Sequence, residues 1–208
     1  MLIELTAKGF VEEVAASSPA PGGGSVAALA GAQGFALIAM VTRLTLGREK
    51  FKAVEQEMKQ ILATAEAKYQ RLLALVDEDT EGFKLVMAAL ALPKETEAEK
   101  AFRRGELESA TLKAAEIPLE TARLCLEGLG LVPELLSKGN PNALSDMGVA
   151  ALSLKTGLDG ALYNVLINAQ GLKEKESKEE LLNACTYLRE EGNRLAEDVQ
   201  REVLEKLG

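Results

Sequence analysis

Histidine is absent from the 208 residues, and this constrains the chemistry more than any residue that is present. No Ser-His-Asp or Cys-His nucleophile can be assembled, and both the commonest general base and the commonest zinc ligand are missing. Proton transfer must therefore use Asp, Glu, Lys, Tyr, Cys or water. Tryptophan is also absent and aromatics make up only 4% of the chain. The core has to be filled by Leu, Ala, Val and Ile, a palette that suits closely approaching helices better than sheets. Cysteine occurs twice, at Cys125 and Cys185, with no CxxC pair. That spacing speaks against a disulfide framework or a thiolate metal site and for reduced, structural thiols. No metal is expected.

Positive charge is scarce as well. Lys and Arg number 24 against 32 Asp and Glu, giving a net charge of −8, and no basic block rises above that background. Nucleic acid is an unsuitable partner for such a field. The N-terminus, Met1-Leu2-Ile3-Glu4, lacks the basic-then-apolar order of a secretory leader, so a cytoplasmic protein is expected.

The hydrophobic fraction is 47% and the charged fraction 27%, ordinary for a globular chain, and 208 residues suit one core. A single domain spanning residues 1–208 is the expectation. No alternation of Val, Ile and Thr of strand length occurs, whereas helical spacing recurs throughout. The six prolines, Pro19, Pro21, Pro93, Pro118, Pro133 and Pro141, parse the chain because proline is expelled from helix interiors. Thr6 caps a short first helix to about Ala16, with Phe10, Val11 and Val14 on one side. Ser25 to Leu46 forms a second that is apolar on nearly every face, Ser25 being its N-cap. Its run from Val26 to Val41 is interrupted by Gly31, Gln33 and Gly34 and falls short of the about 20 residues of a membrane span. It reads as a central buried helix, with Gln33 satisfying a buried backbone group and no membrane as partner.

Glu49 to Leu92 carries a long amphipathic pattern, as one helix or as two joined near Asp77. Thr96 opens another, expected to kink at Pro118 and end at Gly128 and Gly130. Asn142 to Gly171 is rich in Ala, Leu and Gly, and Ser177 with Glu180 forms a capping box for a last helix reaching about Leu207. The fold class is all-α, a single-domain bundle of about six to eight helices.

Three places depart from what packing alone requires. In Pro19-Ala20-Pro21-Gly22-Gly23-Gly24-Ser25 a stiff segment becomes a flexible one at a helix start. There, glycine backbone can approach a ligand and N–H groups favour electron-rich atoms; otherwise the loop is only a tight turn. On the stripe Leu72, Val76, Phe83, Val86, Leu90, the position completing the series is Asp79. A carboxylate turned inward costs several kcal/mol unless paired, hydrogen-bonded or protonated. Asp79 either serves a site or caps a helix break, whereas Asp77, Glu78 and Glu81 fall to the sides and read as solvated. Third, stepping by helical spacing from Asn142 gives Asp146, Val149, Ser153, Gly157, Gly160, Asn164 and Asn168, a small and polar face. It either packs closely on another helix, with Asp146 facing a helix dipole, or lines a cleft with oriented donors and acceptors. Lys113 and Arg104 lie on a helix with access to such a cleft.

The segments PAPGGGSVAALAGA at 19–32, DEDTEGF at 77–83, LPKETEAEK at 92–100, IPLETA at 117–122 and NPNALSDMGVAA at 140–151 span most of the chain in order. Through them the sequence resembles the cyclodeaminase family. That family comprises the C-terminal domain of formiminotransferase-cyclodeaminase and its stand-alone bacterial relatives, which include methenyltetrahydrofolate cyclohydrolases. The resemblance implies an all-helical homodimer that binds a reduced folate and needs no cofactor beyond that substrate. With no formiminotransferase segment ahead of Met1, the transfer half of the bifunctional enzyme's work is not expected of this chain.

The implied reaction converts 5-formiminotetrahydrofolate to 5,10-methenyltetrahydrofolate with loss of ammonia; the alternative hydrolyses the methenyl compound to 10-formyltetrahydrofolate. A non-catalytic folate-binding or structural helical dimer is a further alternative. Both reactions pass through a tetrahedral carbon between two nitrogens and start from a cationic amidine, work for carboxylates rather than for metal or histidine. Asp79 and Asp146 are the expected catalytic pair, one ionised against the cation and one moving protons. Pro21, Gly22, Gly23, Gly24, Ser25, Lys113, Asn142 and Asn164 are the expected substrate-binding residues.

Overall fold

The computed structural model describes residues Met1–Gly208. Six α-helices follow one another: α1 (Ala7–Val14), α2 (Gly23–Thr45), α3 (Glu55–Leu90), α4 (Glu97–Lys138), α5 (Leu144–Gly171) and α6 (Lys175–Leu207). Short 3-10 turns at Leu2–Glu4, Glu49–Val54 and Pro141–Ala143 complete the chain, and there is no strand. The all-helical architecture expected from composition and periodicity is the one observed.

Helix α2 is central: it packs on α3, α4 and α5, and α5 in turn packs on α4 and α6. One contiguous core of 38 buried residues draws on all six helices. Without tryptophan, that core depends on interhelical distance rather than side-chain bulk. Where α2 crosses α5, a Cβ on Gly157 would lie 2.9 Å from the Ala27 carbonyl oxygen and 2.9 Å from the Gly31 nitrogen. The two backbones are therefore in near contact, which only glycine permits. Helix α2 is long and apolar enough to cross a membrane by length and composition, yet 61% of its most apolar window is buried inside the fold.

Several local expectations need correction. Helix α4 does not end at Gly128 but runs on to Lys138 through both Pro118 and Pro133. Gly128 is a packing residue, since a Cβ there would meet Leu154 Cδ2 at 2.7 Å. Helix α3 is continuous through Asp77. Ser25 is the third residue of α2, whose N-cap is Gly22, and Ser177 is the third of α6, whose N-cap is Glu174. Gln33 is exposed rather than buried. Asp77 is not simply solvated: its Oδ1 accepts from the Leu2 N–H at 2.6 Å, pinning the N-terminal turn to α3. Thr6 caps α1 as expected, accepting from the Gly9 N–H at 3.0 Å. Thr96 caps α4 through a reciprocal box with Glu99.

Helices α3 and α4 are clamped from outside by Arg71, whose guanidinium donates to Glu120 at 2.7 Å through two nitrogens and also to Glu78. The same charges hold the Glu120 carboxyl below its ordinary range. This fork fixes the relative height of the two helices that wall the candidate site.

Two glycine substitutions should have opposite signs. A Cβ on Gly31 would stand 2.6 Å from the buried Cys125 Sγ, so Gly31→Ala is expected to cost about 1–3 kcal/mol by overpacking. Gly130 lies mid-helix with nothing within 4 Å of an added Cβ, so Gly130→Ala should gain about 0.5–1 kcal/mol. Urea unfolding of the two variants checks both.

Candidate functional site

The N-terminal turn of α2 meets α3 at Gly24 and Asp79. A Cβ on Gly24 would lie 2.0 Å from Asp79 Oδ1, so the carboxyl rests directly against the helix backbone and only glycine admits it. Beneath it, the fully buried Ser25 hydroxyl is 2.9 Å from the Val76 carbonyl oxygen and 3.1 Å from Asp79 Oδ2. Burial raises the Asp79 pKa above its ordinary value, while the Ser25 hydroxyl and backbone N–H oppose that shift by favouring the charged form. The unpaired N–H groups of the first α2 turn act in the same direction. No basic side chain is a cause of the shift, so Asp79 is a partly desolvated carboxyl without a counter-ion.

Asp79 forms one wall of a cavity of about 350 Å³. Gly22 and Gly23 contribute from the loop, Phe83 and Val86 from α3, Ala114 from α4, and Asn164 and Asn168 from α5. Asn164 lies beside the loop, its Nδ2 being 3.3 Å from where a Cβ on Gly23 would stand. A separate cavity of about 300 Å³ between α5 and α6, lined by residues such as Leu152, Ala196 and Val203, is largely apolar. It holds no desolvated carboxyl comparable to Asp79.

The anticipated residues are thus only partly brought together. Asp79, Gly22, Gly23 and Asn164 line the cavity, Gly24 and Ser25 support Asp79 from beneath, and Pro21 is buried next to the lining residue Ala20. Asp146 is elsewhere. It occupies the first turn of α5, 18 residues before Asn164, which at 1.5 Å per residue is about 27 Å along the axis. The expected sharing of one cavity by Asp79 and Asp146 therefore fails within the chain. A shared helical face does not bring two residues together when this many turns separate them. Asp146 instead suits the positive end of the α5 dipole. Asn142 is exposed in the turn before α5, its N–H bonded to Asn140 Oδ1 at 3.2 Å, and it too is outside the lining of the cavity. Lys113 is exposed on a neighbouring groove between α3 and α4 rather than in the cavity.

Asn168, by spacing one more member of the polar α5 face, belongs to the site. Its signal was Pro118: proline has no N–H for the carbonyl four residues earlier, which is that of Ala114. The Asn168 amide takes up that carbonyl, donating through Nδ2 at 2.8 Å.

A raised carboxyl pKa has a defined stability signature. With the folded value above the unfolded one, the native state holds more protons between the two, so this contribution to stability is present at low pH. It is lost as pH rises through the folded value. Asp79→Asn should therefore gain stability relative to wild type as pH rises above about 4. Chemical denaturation across that range tests it; an unchanged difference would mean that Asp79 is not desolvated.

The family model described as formiminotransferase-cyclodeaminase matches residues 6–186. The methenyltetrahydrofolate cyclohydrolase of Methylorubrum extorquens is 40% identical over 202 residues, covering 97% of each chain. The formimidoyltransferase-cyclodeaminase of Mus musculus is 37% identical over 190 residues, 91% of this chain but 35% of the mouse protein. The crystal structure of a formiminotetrahydrofolate cyclodeaminase from Thermotoga maritima superposes with a TM-score of 0.90 at 27% identity, covering 100% of both chains. The chain belongs to the formiminotransferase-cyclodeaminase family.

Proposed function

We propose that the protein converts 5-formiminotetrahydrofolate to 5,10-methenyltetrahydrofolate with release of ammonia, Asp79 being its acid–base group. The observation that carries this reading is a desolvated carboxyl with a hydroxyl partner on a ligand-sized cavity, in a family member without histidine. N10 attacks the formimino carbon, forming the C–N10 bond. A proton then passes from N10 to the amino nitrogen, and the carbon–nitrogen bond to ammonia breaks, leaving the positive charge over N5 and N10. Asp79 can take the N10 proton and return it to the departing amine, ending in its starting state. Ionised, it also lies against the cationic amidine.

Ser25 suits both states of Asp79. Its single proton serves Asp79 Oδ2 when the carboxyl is charged, and turns to the Val76 carbonyl when Asp79 is protonated. A second reading, methenyltetrahydrofolate cyclohydrolase, is favoured by the end-to-end likeness to the Methylorubrum protein. In that case water attacks the same carbon, Asp79 accepts one of its protons and returns it to N5 as that C–N bond breaks, and the second proton goes to solvent. Neither reaction requires a cofactor beyond the folate, and both buried free cysteines suit a cytoplasmic setting.

A homodimer is part of the proposal. Helix α2 carries no charge before Arg43, yet Val26, Gln33, Ala36 and Leu44 on its outer side are exposed. Val149, Leu152, Tyr163 and Ile167 are exposed along α5. Outer faces that are apolar or uncharged, apart from the Lys155–Asp159 ion pair on α5, suit a second copy better than water.

Incubation with each folate separately, with the product identified, tests the function; turnover of neither substrate would sink it. Asp79→Asn should lose on the order of 10² or more in turnover while remaining folded. Ser25→Ala removes a group that favours the charged carboxyl, so the base-dependent limb of the rate profile should move to higher pH. For the assembly, sedimentation should give a dimer in wild type, and Gln33→Arg should weaken it at least about tenfold by burying an unpaired charge. A dimer indifferent to that change would place the interface elsewhere.

A further inference from the structure

We propose that Asn168 is a specificity-determining residue that reads the exocyclic 2-amino group of the pterin, and that Pro118 holds it in position for that task. The inference rests on the folate reading above and adds the orientation of the substrate within the cavity.

Two asparagines one helical turn apart share the α5 wall. In each, the amide nitrogen is committed to a backbone carbonyl: Asn164 Nδ2 to Gly160 at 2.8 Å and Asn168 Nδ2 to Ala114 at 2.8 Å. Each amide keeps a second N–H, but neither Oδ1 accepts a hydrogen bond within the protein, and neither is sealed from the cavity. This wall therefore offers acceptors to a ligand. Opposite it, Asp79 is a further acceptor when ionised, and the first α2 turn supplies backbone donors. A cavity so lined selects a molecule with N–H groups on one edge.

The two bonds differ in origin. Asn164 bonds within its own helix, to a carbonyl four residues back. Asn168 crosses to α4 and takes a carbonyl that would have no helical donor, because residue 118 is proline. The amide is thereby fixed between two helices, and its orientation does not depend on ligand being present.

Distance along the wall sets the assignment. Asn164 adjoins Gly23 at the α2 terminus, close to Asp79, where the reacting carbon must sit. Asn168 is about 6 Å farther along α5, four residues at 1.5 Å each. In a tetrahydropterin whose N5 and N10 face the acid, the 2-amino group is the N–H donor most remote from the reaction. It falls to the more remote acceptor, Asn168. Pairing a buried acceptor with a substrate N–H discriminates strongly against an analogue that lacks the donor, since the acceptor is then left unpaired.

Steady-state kinetics on wild type, Asn168→Leu and Pro118→Ala, with the natural substrate and its 2-desamino-2-methyl analogue, test the proposal. Wild type should show kcat/KM lower by about tenfold or more on the analogue, and Asn168→Leu should bring that ratio near one. Pro118→Ala restores an N–H for the Ala114 carbonyl and so releases Asn168. It should raise KM for the natural substrate with kcat little changed, and without lowering the melting temperature. A purely structural role for Asn168 predicts the same discrimination in Asn168→Leu as in wild type, together with unchanged KM in Pro118→Ala; either result overturns the proposal. Wild-type turnover of the natural substrate without discrimination against the analogue overturns it too, and leaves the folate reading intact. Absence of any turnover or binding of a reduced folate removes both.

Discussion

The rest of the site depends on the contact between the Asp79 carboxyl and the glycine backbone that opens α2. Two opposing effects meet there. Removing a carboxylate from water costs several kcal/mol, while a helix start and a serine hydroxyl favour its charged form. Burial is the larger effect, since the net shift is upward. The outcome is a carboxyl whose two protonation states are closer in free energy than on a surface, which is what a group that alternately accepts and returns a proton requires. Any side chain at residue 24 would push α3 away from α2 and let water reach the carboxyl. The glycine run is thus tied to the acidity of a residue 55 positions later.

That contact is held by the way small residues set the interhelical distance. Gly31, Gly34, Gly128 and Gly157 each stand where an added Cβ would come within 3 Å of a neighbouring atom, involving Cys125, Leu154 or backbone. Packing of this kind leaves few ways to shift one helix without moving another. Arg71 adds an ionic fork between α3 and α4 on the outer side. The cavity is walled by α2, α3, α4 and α5 and completed by Pro19, Ala20 and Gly22 of the loop before α2.

Much of this was legible in the sequence, and what was not has identifiable causes. The helices could be read because proline, capping residues and 3.6-residue spacing are local signals. Asp79 could be read because it interrupts an apolar stripe, and an inward carboxyl carries a cost that demands a reason. Asp146 shares a helical face with Asn164, but the 18 residues between them set the two about 27 Å apart along α5, so a common face does not make a common cavity. Ser25 was misassigned as a cap because glycine can begin a helix without a side-chain acceptor, freeing the serine for a tertiary contact with Val76 and Asp79. The end of α4 was misread because Gly128 satisfies a packing need that looks, locally, like a C-terminal signal.

Proline ordinarily bends or stops a helix, yet α4 passes through Pro118 and turns the loss of one hydrogen bond into a tether for Asn168. A chain with net charge −8 gains no long-range attraction for an anionic ligand such as a folate with its glutamate carboxylates. On the folate reading, affinity must come from short-range complementarity at the other end of the molecule, where ring nitrogens bear protons and the one-carbon unit bears positive charge. The cavity has that character: a carboxyl without a cationic partner, two amides whose oxygens accept no hydrogen bond within the protein, and an apolar rim from Phe83 and Val86. Acidity across the surface and acceptor bias within the cavity then work together. Both favour the cationic, proton-bearing end of the substrate, and they orient it toward the one group in the site able to move a proton.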